Sequence, residues 1–292
     1  MVLFKVCSNN LNYFLKRKSL KGKKRNIKQS QLSKRMIEKE PFQLDYERYA
    51  INQSLKKIAK KYALKNVLEV PAAGVKAMPS LYSLGFAEAE CEVTLVNPEK
   101  KGLDAWKDLH LEVKEIKTEK LSELPLEDNS FDLVWNFNTL SLEKNYEETL
   151  KEWIRVSKTY IMILCVSGYN VGSPIHRTLH KINNVEWTHG NKLFLYPRKV
   201  RALMEKNNLE IVETNVMNCP LWPDTVGFRD MKFHKMKKPM EIIEWDVPTL
   251  EYMKKKEYPF WIKAMYAFES IPVPLFLKYS YAHLFYVIGK KK

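Results

Sequence analysis

Three histidines lie close together in the second half of the chain, at positions 176, 180 and 189. Histidine accepts and donates protons readily near neutral pH, so His176 and His180 are candidates for a catalytic base. A helix would place this pair on one face, but two ligands alone make a weak metal site, and we predict no bound metal. The plainer interpretation is that each histidine, including His189, is a surface or hydrogen-bonded loop residue.

An acid followed by a tight turn forms the second candidate site. A short apolar run ends at Glu69, a Pro-Ala-Ala-Gly turn follows, and a helix-like segment closes at Gly85. A strand that turns sharply into a helix exposes backbone N–H groups at the carboxyl edge of a sheet, where nucleotide-like ligands bind in open α/β folds. The alternative is that Glu69 merely ends a strand and that Gly74 is an ordinary turn residue.

The elements that would position these residues alternate between strand and helix. This alternation predicts a parallel α/β sheet with right-handed crossovers. We expect residues 169–195 to be loop-like. The first predicted strand begins at Asn66, and the others cover 92–97, 111–116, 131–135, 159–166, 209–216 and 282–288. The predicted helices cover 42–64, 99–109 and 146–157, and a further helix starts at Pro197.

Charge and cysteine content limit the class of protein. The net charge is +15, and residues 1–40 hold twelve Lys or Arg against two Glu, so the rest of the chain is nearly neutral. Such an arm is most simply solvated and poorly ordered, although attraction to anionic lipid, nucleic-acid contact or a targeting role stays open. The four cysteines form no CxxC pair, which fits a reducing cytoplasm. No apolar run is long enough to span a bilayer, and no secretory signal is apparent.

Residues 219–280 are rich in proline and in aromatic residues interleaved with lysines. Three interpretations are open for this segment. It could form a lid over an apolar or lipidic substrate, a patch at a membrane interface, or a small helical cap packed on the sheet. Within it, Asp224 of the Pro-Leu-Trp-Pro-Asp stretch is our preferred acid, and Tyr169, Tyr196 and Trp222 are further pocket candidates.

Three stretches carry a resemblance to a known family. They are residues 67–74 (VLEVPAAG), residues 124–134 (LPLEDNSFDLV), and the late pairing of 209–216 with 282–288. Over about residues 45–216 and the final strand, the chain resembles the class I S-adenosylmethionine (SAM) dependent methyltransferases, especially the type 11 group. The resemblance implies a Rossmann-like, mostly parallel seven-stranded sheet whose last strand is antiparallel.

The resemblance also implies site residues. Asn136 would lie beside the transferred methyl group, and His176, His180 and Asp224 would line the substrate pocket. The family's glycine positions carry Pro71, Ala73 and Val75, and Asn97 replaces its ribose-binding acid. The residues implied to bind the cofactor are Glu69, Pro71, Ala73, Gly74, Asn97, Leu121 and Asn136.

We therefore predict a basic arm (1–40), a methyltransferase core (41–218), a cap inserted before the last strand (219–280), and a final strand with a lysine tail (281–292). The predicted function is methyl transfer from SAM to a small or lipid-like acceptor in the cytoplasm, with peripheral contact of the arm and cap with anionic membrane left open. The alternative is an inactive module of the same fold that binds a membrane or a protein. A nicotinamide dehydrogenase is disfavoured because no GxGxxG follows a strand. Nucleic acid is disfavoured as a substrate because the body carries little charge and no NPPY-type signature follows Trp135.

Overall fold

The computed structural model describes residues 36–39, 42–72, 80–187, 189–222 and 243–292. Most of the predicted basic arm lies outside these residues. Ala73, Gly74 and Val75 of the predicted turn also lie outside the described residues, as does the predicted acid Asp224.

The described chain alternates strands with helices over most of its length. The strands are β1 (Met36–Lys39), β2 (Asn66–Glu69), β3 (Glu92–Val96), β4 (Lys114–Ile116), β5 (Phe131–Phe137), β6 (Ser157–Val166), β7 (Leu209–Met217), β8 (Ile243–Asp246) and β9 (Leu284–Lys291). The helices are α1 (Phe42–Lys61), α2 (Leu84–Ala87), α3 (Lys100–Asp108), α4 (Tyr146–Val156), α5 (Gly172–Ile182), α6 (Pro197–Lys206), α7 (Pro248–Lys255), α8 (Phe260–Glu269) and α9 (Leu275–Tyr281). Two 3₁₀ turns cover Thr139–Leu142 and Lys192–Leu195.

Seven strands form one sheet in the order β4-β3-β2-β5-β6-β9-β7. The pairs among β2, β3, β4, β5 and β6 are parallel, and β9 is antiparallel to both of its neighbours. The predicted fold class is therefore confirmed, including the reversed last strand. A separate two-stranded parallel sheet joins β1 to β8.

The central strands carry mostly apolar side chains because both faces of the sheet are covered. On β5, Leu133 and Trp135 belong to one buried cluster and Val134 to the other. On β6, Met162 and Ile163 divide in the same way. Continuous apolar runs of this kind are typical of parallel strands with helices on both sides.

The bounds of β9 differ from the prediction that Gly289 closes the last strand. The strand continues through Gly289 to Lys291, whose backbone pairs with Leu209 of β7. The Lys291 ammonium donates hydrogen bonds to the carbonyl oxygens of Ile154 and Ser157. Through these contacts the polar end of β9 finds hydrogen-bond partners that the sequence pattern did not indicate.

Gly85 also has a different role from the predicted one. It lies inside α2 and does not end it. A Cβ atom at Gly85 would lie 2.5 Å from the carbonyl oxygen of Asn52, so the glycine allows α2 to pack directly against α1.

The first two helices that follow β8, α7 and α8, pack on α1. Ile262 of α8 is buried against Tyr46 and Ala50 of α1, and Tyr46 Oη donates a 2.5 Å hydrogen bond to the Glu269 carboxylate at the end of α8. Within the described residues, no helix combines the length and the apolar character needed to cross a bilayer.

Candidate active site

The segment that follows β2 is anchored at the carboxyl edge of the sheet. The Ala72 amide donates to the carbonyl oxygen of Val96, at the end of β3, over 2.7 Å. Ser80 Oγ donates to the Ala72 carbonyl oxygen over 2.7 Å and accepts the Glu99 amide at 2.9 Å. Ala72 and Ser80 are therefore held together beside buried Pro71, at the edge where ligands bind in α/β sheets. We call the segment 71–80, which contains the predicted Pro-Ala-Ala-Gly turn, the cofactor turn.

Glu69 is buried and hydrogen-bonded inside the protein. Ser83 Oγ donates to its carboxylate over 2.6 Å, and the same hydroxyl accepts Trp135 Nε1 at 3.0 Å. Burial raises the pKa of Glu69 to about 7, although the hydrogen bonds from Ser83 act in the opposite direction. The carboxyl group joins the end of β2 to the start of α2, and its predicted contact with a cofactor stays a prediction.

Asn97 closes the gap between the ends of β3 and β4. Its Oδ1 accepts the Thr118 amide at 2.9 Å, and its Nδ2 donates to the Thr118 carbonyl oxygen over 2.8 Å. The backbone of Asn97 has a φ of 54°, in the left-handed region that asparagine adopts more readily than most residues. Leu121 follows Thr118 closely in sequence and is partly buried against the apolar core. The predicted cofactor roles of both residues remain predictions.

Asn136 is fully buried at the end of β5. Its Nδ2 donates to the Val70 carbonyl oxygen over 2.9 Å and also to Thr139 Oγ1, while its Oδ1 accepts the Leu140 amide at 3.0 Å. These bonds fix the 3₁₀ turn after β5 against the start of the cofactor turn. Asn136 thereby positions the backbone at this edge, and a direct contact with substrate stays a prediction.

The three histidines come together in space. His176 and His180 project from α5, and their Nε2 atoms are 3.1 Å apart. His189 approaches from the loop after α5, with its Nε2 3.1 Å from that of His180. The sequence had placed all three in one loop-like region, but α5 and the convergence of the third histidine were missed.

This histidine cluster (His176, His180 and His189) lies at the same edge of the sheet. The Asn191 amide donates to the Ser141 carbonyl oxygen over 2.7 Å, which ties the loop carrying His189 to the turn after β5. The Gly168 amide, just after β6, donates to the Leu195 carbonyl oxygen over 2.8 Å. The segments after β5 and β6 therefore both contact the chain that follows the cluster.

Aromatic side chains border this edge. The Tyr169 ring packs edge-on against Tyr196 and Tyr279, with centroids 5.5 and 5.7 Å apart. Arg177 donates to the Tyr196 hydroxyl over 3.0 Å. The predicted pocket residue Trp222 instead packs edge-on against Phe42 and Tyr46 of α1.

Comparison with known proteins found one family model and a set of similar solved structures. Residues 73–160 match the family model described as a methyltransferase domain. No curated protein matches the sequence. Similar solved structures include a SAM-dependent methyltransferase of Thermotoga maritima described as a possible histamine N-methyltransferase (16% identity over 86% of this chain and 92% of that one, TM-score 0.49). Another is the magnesium protoporphyrin IX methyltransferase of Synechocystis with bound S-adenosylhomocysteine (11% identity over 64% and 85%, TM-score 0.47). Likeness at this distance says nothing about the acceptor.

Residues 73–160 thus match a methyltransferase domain, within a sheet that has the strand order of the Rossmann-like methyltransferase fold. The predicted superfamily, the class of enzyme and SAM as the cofactor are confirmed at this level. The residues around the cofactor turn fit such a ligand, because the turn is anchored beside the ends of β2 and β3 with a buried acid next to it.

Proposed function

We propose that the protein transfers the methyl group of SAM to a lipid-like small molecule. The observation that carries this proposal is the apolar surface of α8 and α9. Phe260 is 84% exposed and Phe276 is 74% exposed, although both are large apolar side chains. Exposed apolar patches usually mark a surface that contacts a ligand, a protein or a membrane. The further exposed apolar residues of this surface are Trp261, Phe268, Ile271, Leu275 and Leu277.

The apolar surface adjoins the segment that follows β6. The Val171 amide donates to the Ser280 carbonyl oxygen in α9 over 2.9 Å, and the Tyr169 ring contacts Tyr279. Val171 and Ile175 are themselves exposed. An acyl or other apolar chain could therefore lie along α9 with its polar end at the carboxyl edge of the sheet.

Each part of the edge has a task in this proposal. Bound SAM would supply the methyl group as an electrophilic sulfonium. The anchored ends of the cofactor turn, at Ala72 and Ser80, would hold the cofactor. Asn136 keeps the neighbouring turn in place, and the aromatic border would exclude water around the acceptor, so that the protein contributes mainly by positioning. Contact of the basic arm with anionic membrane remains a prediction that is compatible with such an acceptor.

The test uses the full-length protein, methyl-labelled SAM, and two mixtures of acceptors: a total lipid extract and a water-soluble metabolite extract. We expect label in the organic phase with the lipid extract. Phe276→Ser should slow this transfer by at least about tenfold, because a buried phenylalanine contributes about 1.5–3 kcal/mol to apolar contact. Val212→Ser, which alters an exposed apolar residue on β7, serves as the control and should leave the rate unchanged.

Two results would contradict the proposal. Label found only in water-soluble products, with Phe276→Ser as active as the wild type, would keep the methyltransferase and exclude the lipid-like acceptor. Absence of label from both mixtures, with SAM shown to bind, would also overturn the proposed transfer to a lipid-like acceptor.

A further inference from the structure

We propose that the histidine cluster binds a divalent transition-metal ion of the Zn²⁺ type through the Nε2 atoms of His176, His180 and His189. This inference concerns a site separate from the cofactor turn, and it does not depend on the class of acceptor. It also revises the expectation from the sequence, which considered only two ligands and predicted no metal.

The spacing of the His180 Nε2 from the other two histidines is close to that of ligands on one metal ion. The Nε2 of His180 is 3.1 Å from the Nε2 of His176 and 3.1 Å from that of His189. One ligand atom from each ring lies within 4.8 Å of the others. Two nitrogens bound to one tetrahedral zinc ion at about 2.0–2.1 Å are about 3.3 Å apart, so both contacts of His180 Nε2 match this spacing. Binding of an ion would draw the His176 and His189 rings towards each other.

The hydrogen bonds of His180 orient its ring for this role. Its Nδ1 lies 3.2 and 3.1 Å from the carbonyl oxygens of Val185 and Glu186. Carbonyl oxygens can only accept, so Nδ1 carries the proton and Nε2 presents a lone pair to the cluster. Metal-binding histidines typically donate their second ring N–H to a carbonyl or carboxylate in this way. A cation bound at the centre would explain why three such nitrogens converge.

The surrounding packing holds the rings in place. The Trp187 indole contacts all three imidazoles, with ring centroids 4.8 to 5.5 Å away. Its Nε1 donates to the Gly190 carbonyl oxygen over 3.1 Å, and His180 is only 4% exposed. A site built from packed, hydrogen-bonded rings loses little conformational entropy when an ion binds.

The ligand set also indicates the kind of ion and its use. Neutral imidazoles favour zinc, copper, iron or nickel over magnesium and calcium. Three protein ligands leave one coordination position open for water or for a donor atom of a substrate, as in catalytic zinc sites. Because His176 and His180 would give their Nε2 lone pairs to the ion, this proposal replaces the predicted role of these two residues as a catalytic base.

The experiment measures metal binding directly. Full-length protein without an affinity tag is stripped with a chelator, dialysed and titrated with Zn²⁺ and with Co²⁺, whose visible absorption reports a nitrogen-ligated site. We expect stoichiometric binding of one ion per chain. His176→Asn and His189→Asn should each weaken binding by at least about tenfold, since loss of an outer-shell partner alone commonly costs 10–100-fold.

His110→Asn is the matched control. His110 is exposed, outside the cluster, and has a φ of 56° that asparagine tolerates. It should bind metal as the wild type does, and circular dichroism should show that all variants are folded. Substoichiometric metal in the wild type would overturn the proposal, as would binding by His176→Asn and His189→Asn with wild-type affinity. Failure of SAM to bind would leave these readouts unaffected, so the two proposals fail separately.

Discussion

At the carboxyl ends of β2, β3 and β5, three polar side chains bond to the protein itself. Glu69 accepts from Ser83, Asn97 pairs with the Thr118 backbone, and Asn136 joins Val70 to the turn after β5. Each side chain satisfies buried polar groups at the point where a strand ends. At the scale of the residue, these bonds fix the backbone that a cofactor would contact.

Burial of Glu69 predicts a measurable dependence of stability on pH. Because its pKa is raised to about 7 in the folded protein, the folded state retains a proton that the unfolded chain loses above about pH 4.5. Stability should therefore fall as the pH rises from about 4.5 through 7. Glu69→Gln keeps an acceptor for Ser83 but cannot ionise. Relative to this variant, the wild type should lose about 2–3 kcal/mol of unfolding free energy between about pH 5 and about pH 8.

Urea unfolding at the two pH values measures this difference, and Glu112→Gln provides a control at an exposed acid. Equal changes in the unfolding free energy of the wild type and Glu69→Gln would show that Glu69 is not held in a desolvated site.

Which residues stand at strand ends could be predicted from the sequence, but their partners could not. Glu69 and Asn136 follow apolar runs, which is a local signal. The Asn136 bond to the Val70 carbonyl oxygen joins residues from two different strands, so it depends on how β2 and β5 pair.

At the scale of the element, α5 and the loop after it bring the histidine cluster together. Helix α5 was not predicted from the sequence, although Ile175, Leu179 and Ile182 recur at the spacing of an apolar helical stripe. Ile175 and Ile182 of α5 are exposed, whereas His180 is buried. The strands β5 and β6 were predicted well because covering both faces of a sheet requires apolar residues at successive positions, as at 133–135 and 161–166.

Gly190 packs against the turn after β5, next to the hydrogen bond from Asn191 to Ser141. Its φ is 82°, and a Cβ atom there would lie 2.6 Å from the Ser141 carbonyl oxygen. Gly190→Ala should lower the unfolding free energy by about 1–3 kcal/mol, because it combines backbone strain with a clash against main-chain atoms. Since the displaced loop carries His189, the affinity for Zn²⁺ should fall as well.

Urea unfolding and the zinc titration measure both effects. Gly190→Asn separates the two causes, because asparagine tolerates a positive φ but still has a Cβ atom. It should be as harmful as Gly190→Ala if the clash dominates. A Gly190→Ala protein within about 0.5 kcal/mol of the wild type would contradict the proposed contact.

At the scale of the whole molecule, the sheet sets the arrangement of the site. Its order places β2 between β3 and β5, so the ends of these strands meet the cofactor turn at one edge. The helices after β8 add an exposed apolar surface beside that edge. The seven-stranded, mostly parallel sheet with its reversed last strand followed from the resemblance together with the alternation of elements. The histidine cluster could not be predicted in this way, because it forms only when the folded chain brings the loop at His189 against α5.

The most direct test of the account is calorimetric titration of the full-length protein with SAM and with S-adenosylhomocysteine. An anchored turn beside a buried acid predicts saturable binding of both ligands with micromolar dissociation constants. Absence of binding at millimolar concentrations would contradict the account, because the edge formed by β2, β3 and β5 would then not be a cofactor site.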